Sequence, residues 1–327
     1  MMDRSRFPLP VMVGLMLTGC LPEELPVPPR TMAHGQYEAQ VCMGTGYGDQ
    51  IWFHLGTGST VARHSKMDWD LAFAGHPGEA HVRLNGARMM RAHRLPGAAI
   101  DQPTDTTGLA DLWRYDHSAG SPDSLAIGRW WEEPGTVYVI DLGHNLFGSP
   151  MGLRKMQVLS MTDTEFTIRI ARLDGTQVEE RTVQKDPSRR HVHFDLRSRQ
   201  QVDIAPEDGA YDILFTGYNY QFYDPYMVYA VSGVLNGFSG ARVARVTNPD
   251  MEAVTLADTL AHPFSADEDA IGYDWKLFDL NTNTYHVFPQ QVYIVHTADG
   301  RFHKLRFTGY YDPSGSVGCP RFEVATF

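Results

Sequence analysis

Residues 68 to 73 read "DWDLAF", and residues 210 to 215 return the same block as "AYDILF". In both, an aromatic residue and an aspartate lead through an aliphatic residue to a phenylalanine: Trp69-Asp70-Leu71-Ala72-Phe73 and Tyr211-Asp212-Ile213-Leu214-Phe215. Such alternation of bulky apolar residues with small or polar ones is the pattern of a strand, not of a helix face. Reading outward, Phe53-x-Leu55 precedes the first block and Phe194-x-Leu196 the second, at nearly equal distances. Downstream, "LNGARM" from Leu84 pairs with "LNGFSGAR" from Leu235, and "VYVIDLG" from Val137 with "VYIVHTADG" from Val292. Lys155-Met156 and Lys304-Leu305 follow, then "EFTIRI" and "RFEVAT". Ordered self-similarity of this kind suggests two related β units, about 36–180 and 181–327. Packed together, they would each supply a central strand with Trp69 or Tyr211 filling core volume.

The rest of the chain agrees with a mostly β, antiparallel fold with little helix. Runs such as "QIWFHL", "HVHFDL", "YMVYAVSGV" and "KLRF" are rich in β-branched and aromatic residues and bounded by turn residues. Asp174-Gly175 and Asp299-Gly300 each lie between two such runs, the signal for a two-residue hairpin. Residues 250–260, "DMEAVTLADTL", are the main helical candidate, with "LADLW" at 109–113 a weaker one.

Of 327 residues 43% are hydrophobic, enough for a packed core, and the net charge of −11 leaves no basic surplus for nucleic acid. Arg4 and Arg6 precede an apolar run too short to span a bilayer, which ends in "LTGC" at Leu17 to Cys20. This resembles the lipobox of bacterial lipoproteins. The resemblance implies a signal peptide at 1–19, lipidation of Cys20, a Pro-rich linker at 20–35 and an outer-membrane or cell-surface location. After cleavage, 26 basic residues face 38 acidic ones, so the mature chain remains acidic. Cys42 and Cys319 then remain, to form one bridge or stay free.

Residues 271–327, with "YDILFTGY" and "YAVSGVLNGFSGARVA" before them and "DWDLAF…HVRLNG" in the first half, resemble the HmuY family of haem-binding lipoproteins. The ordered tail of hydrophobic strand, "TADG" turn, "KLRF" strand and Gly-rich approach to a final strand carries most of that likeness. It implies a binding protein, not an enzyme, that captures haem or a related porphyrin and passes it to an outer-membrane haem transporter. In that family two loop histidines ligate the iron. Counted back from "TYHV", the corresponding loop position here holds Leu277 and Phe278, which cannot ligate iron.

Haem iron takes nitrogen or sulfur donors inside an apolar slot. The densest donor group, His76, His81, Met89, Met90 and His93, follows the first block in a Gly- and Pro-containing stretch. His76, Met89, Met90 and His93 are the haem-ligand candidates; a polar loop with gap-filling methionines is the competing reading. His117, His144 and His286 read as surface or turn residues. His191-x-His193 puts two imidazoles on one strand face, a chelating spacing, though exposed strand residues beside Arg189 and Arg190 have the same pattern. "SADEDAIG", 265–272, reads as a solvated acidic turn without a calcium-loop register. Asp70 and Asp212 read as structural acceptors within strands, and no nucleophile elbow, H-E-x-x-H or dinucleotide fingerprint is present. The competing function is a surface lipoprotein that binds a glycan or a protein partner without haem.

Overall fold

The computed structural model describes residues 35–236 and 240–327; Cys20 and the segments before and after it lie outside the described residues. The strands of the first half are β1 Gln36–Gln40, β2 Asp49–His54, β3 Ser59–Ser65, β4 Leu71–Ala74, β5 Val82–Leu84, β6 Arg91–Leu95, β7 Val137–Asp141, β8 Leu153–Met161 and β9 Glu165–Ala171. Those of the second are β10 Glu179–Gln184, β11 His191–Asp195, β12 Gln200–Val202, β13 Ile213–Tyr223, β14 Tyr226–Leu235, β15 Arg242–Thr247, β16 Lys276–Asp279, β17 Thr284–Val287, β18 Gln291–His296, β19 Phe302–Tyr311 and β20 Val317–Thr326.

These strands form four antiparallel sheets in two sandwiches, plus the small hairpin β16-β17. Sheet β10-β9-β8-β7-β6 packs on sheet β12-β11-β4-β5, and Phe73, Tyr138, Phe166 and Phe194 fill the core between them. Sheet β1-β20-β19-β18-β15 packs on sheet β14-β13-β2-β3 around Phe53, Phe215, Trp275, Phe307 and Phe322. The outer faces of the two inner sheets then meet through Trp52, Trp69, Ala72, Ile204, Tyr211, Leu214, Tyr218 and Leu235. Inner strands buried on both faces explain why "LAFA" of β4 and "ILF" of β13 lack polar positions.

The sheet orders repeat. In one sandwich the order β10-β9-β8-β7-β6 matches β1-β20-β19-β18-β15 of the other, and β12-β11-β4-β5 matches β3-β2-β13-β14. Strands β1 to β3 of the first half complete the sandwich built mainly from the second, and β10 to β12 do the reverse. The two opening blocks make that exchange. Asp70 donates its backbone N–H to the Phe194 carbonyl at 3.0 Å and accepts the Leu196 N–H on Oδ2 at 2.8 Å. Asp212 repeats this with the Phe53 carbonyl at 3.0 Å and the Leu55 N–H at 2.7 Å. Each aspartate therefore latches the Phe-x-Leu segment of the other half.

Local expectations were altered at the two Asp-Gly turns and at the two helical candidates, and the open choice for the cysteines was settled. Residues 172–178 and 297–301 join their strands through longer loops than a two-residue turn, with Gly175 and Gly300 at φ +84° and +82°. The helical candidate shortens to a 3-10 turn at Leu256–Leu260, capped by Thr255 and Asp258, and 109–113 is a turn. Cys42 and Cys319 form a disulfide that ties the chain after β1 to β20. No helix of the described residues is long and apolar enough to cross a membrane.

Candidate functional site

Between the two inner sheets lies a cleft of about 810 Å³, counted out to its open mouth. Strand register explains its two unlike walls. On one, Leu214 of β13 stands between Trp52 of β2 and Leu235 of β14, giving a bulky apolar surface. On the other, small Ala72 of β4 stands between His193 of β11 and Arg83 of β5, and the small residue leaves room between two basic groups. One pleat further along, Ala74 faces His191, and its N–H donates to the His81 carbonyl at 3.0 Å. The imidazoles of His81 and His191 approach to 3.0 Å between their Nε2 atoms. One aromatic wall and one basic wall suit a flat, largely apolar ligand with a polar edge.

Burial sets the chemistry of the basic wall. His193 is 7% exposed, and desolvation pushes its imidazole down to about 3, with His64 and Arg189 adding to the effect. It is therefore neutral at physiological pH, the form that ligates metals. Its ring packs edge-on to Trp69 at 4.7 Å, and among the described residues its ring nitrogens make no hydrogen bond. Trp69 is fixed by its Nε1–H to Gln50 Oε1 at 2.7 Å, and Gln50 by its own bond to Thr216 Oγ1 at 2.9 Å. Other polar groups facing the cleft are only partly satisfied: among the described residues, Tyr218 Oη, Glu268 Oε2 and Arg190 Nε have no hydrogen-bond partner. Buried polar atoms are rarely left so unless something else meets them.

Arg190 comes from the turn before β11, which lies tight against β4. A side chain at Gly75 would meet the Arg189 carbonyl at 2.0 Å, so only glycine admits that approach. Arg83 is paired with Glu268, and Asp116 accepts the N–H groups of Leu84 at 2.7 Å and Ala126 at 2.8 Å. These contacts fix the rim.

None of the four ligand candidates lines this cleft. His76 is partly exposed and bonds Asp208 at 2.7 Å; Met90 is fully buried in the first core; Met89 takes a left-handed φ of 59° at the end of a 3-10 turn; His93 contacts the Leu112 carbonyl at 3.2 Å. No metal-holding group of three or more His, Cys, Asp or Glu occurs among the described residues. His191 and His193, expected at the surface, are instead covered by the opposing sheet. Glu268 of the acidic turn is likewise buried, in its pair with Arg83. Asp70 and Asp212 do not reach the cleft. Sequence carried one usable hint, the His-x-His spacing; nothing local marked Arg83 or Arg190.

An iron porphyrin would find here a neutral imidazole with open nitrogens, aromatic cover from Trp52, Trp69 and Tyr211, and a basic edge, so the donor set fits such a group.

A family model described as HmuY protein matches residues 46–324. Among solved structures, apo PinO from Porphyromonas gingivitis is similar at 9% identity and TM-score 0.35, over 89% of this chain and 97% of that one. The apo HmuY analog of Tannerella forsythia has 9% identity and TM-score 0.25, over 89% and 95%. A Bacteroides vulgatus protein titled HmuY-like and heme-binding has 15% identity and TM-score 0.24, over 41% and 83%. Comparison with curated proteins gives no match.

Proposed function

The chain belongs to the HmuY family, and from that premise we propose that it captures haem or a related porphyrin for iron acquisition at the cell surface, anchored through Cys20. The observation that carries the proposal is His193, a buried, neutral imidazole with unpaired ring nitrogens on the wall of an aromatic cleft. His193 would hold the iron from one side; Trp52, Trp69 and Tyr211 would cover the ring and keep water from it. Bound iron would supply a coordination bond to that imidazole. The neutral state of His193 needs no proton release before it ligates, which favours capture over a wide pH range. This assignment is preferred to the loop set His76, Met89, Met90 and His93 because none of those four residues lines the cleft.

The test is a titration of haemin into residues 21–327, read by absorbance in oxidised and reduced states. A saturable Soret shift with low-spin features at one haem per chain supports capture. Weak association that never saturates would remove it.

A second reading, a glycan or protein partner, draws on the hairpin β13-β14. Its tip exposes Tyr223, Tyr226, Met227 and Tyr229, each about half exposed or more. Exposed aromatic residues grouped in this way suit a partner surface. Under the haem proposal the same tip is where a haem transporter would dock.

A further inference from the structure

We infer that the cleft recognises an anionic edge of its ligand, with Arg190 holding a carboxylate; this rests on the haem proposal, under which that carboxylate is a propionate of the tetrapyrrole. Arg190 lines the cleft, yet among the described residues its guanidinium has no ion pair and no hydrogen bond, and its Nε is buried. Its backbone N–H alone is held, by Asp208 Oδ1 at 2.8 Å.

The neighbouring cations make the contrast. Arg189 is spent on Asp186, Asp203 and the Ala205 carbonyl, and Arg83 on Glu268. Asp208 accepts from the Arg190 backbone and is bonded to His76. Of the two cleft acids, Glu268 is matched by Arg83, and Asp116 by two backbone N–H groups. What remains facing the ligand is one unmatched positive charge. In a chain of net charge −11, an uncompensated arginine beside buried imidazoles is a local exception that invites an anion. The planar fork of a guanidinium matches a carboxylate through two parallel bonds.

The experiment compares haemin with its dimethyl ester, in the wild-type chain and in Arg190→Gln, at low and moderate salt. In the wild type haemin should bind about tenfold or more tightly than the ester, as charged hydrogen bonds allow, and added salt should narrow the gap. Arg190→Gln should bring haemin down to the ester's affinity, leave the ester unchanged and leave the circular dichroism spectrum unchanged, since the side chain holds nothing in the fold. Arg190→Lys should recover part of the difference. If the ester binds the wild type as well as haemin does, or if the gap survives in Arg190→Gln, the anionic edge is wrong while haem capture stands. If haemin itself never saturates the wild type, both fall together.

Discussion

Buried histidines, His81 and His191 among them, weaken the fold toward acid pH. Burial holds His81 down to about 4 and His191 well below its ordinary value, with Arg83, Arg190 and Lys185 reinforcing the effect. Their folded pKa values lie below the unfolded value near 6.5, so the folded chain binds fewer protons than the unfolded one. Stability is therefore full above about pH 6.5 and declines as pH falls toward about 4, by about 2 kcal/mol at pH 5 for His81. Urea unfolding at pH 7 and pH 5 measures this, and His81→Gln should flatten the difference. Asp70 gives a second prediction. It is fully buried against Arg88, whose guanidinium also donates to the Leu142 carbonyl at 2.6 Å. Asp70→Asn leaves that cation buried without its partner and should cost about 3–5 kcal/mol. At Asp212 the contact with His54 is a looser one, at 4.0 Å, and Asp212→Asn should cost less. The structural role of both aspartates was legible, because an acid inside an apolar strand must be satisfied by backbone. The burial of His191 and His193 was not, because the sheet that covers them comes from residues far away in the chain.

At the scale of elements, the exchanged strands decide what can fold. Without β10 to β12, the sheet containing β4 loses its β11 neighbour, and Leu71, Phe73 and Ala74 lose the ladder that pairs them with His191 to Phe194. Residues 36–180 expressed alone should remain largely unstructured by near-ultraviolet circular dichroism, and mixing with 181–327 should restore the native signal. A stable, folded 36–180 would contradict the mutual dependence. Many of the strands, among them β2, β4, β7, β9, β11, β13, β14, β18 and β19, were readable from β-branched and aromatic runs, and the pairing of "VYVIDLG" with "VYIVHTADG" marks strands β7 and β18, which hold equivalent places in their sheets. Which strand pairs with which was not readable. Register across β2 and β13 or β4 and β11 is set by contacts over more than a hundred residues, and the sequence pattern of a strand is the same whichever neighbour it takes.

For the whole molecule, the bridge between Cys42 and Cys319 closes nearly the full folded chain, with a sequence separation of 277. Long closed loops restrict the unfolded state most, and replacing both cysteines with serine should lower stability by about 2–4 kcal/mol in urea unfolding, with the fold retained. A disulfide also accords with an exported protein. The number of cysteines limited the choice to one bridge or none; their meeting follows from β1 pairing with β20, which no local pattern announces. The cleft has the same origin, since its two walls belong to sheets that each draw on both halves of the chain. The central claim is that haem lies in this cleft with His193 as an iron ligand. Its most direct test is the ferric and ferrous absorption spectrum of the haemin complex in His193→Ala beside the combined Ala variant of His76, Met89, Met90 and His93. The account predicts loss of the low-spin signature in the first and a wild-type spectrum in the second; a wild-type spectrum in His193→Ala, with loss in the fourfold variant, would contradict it.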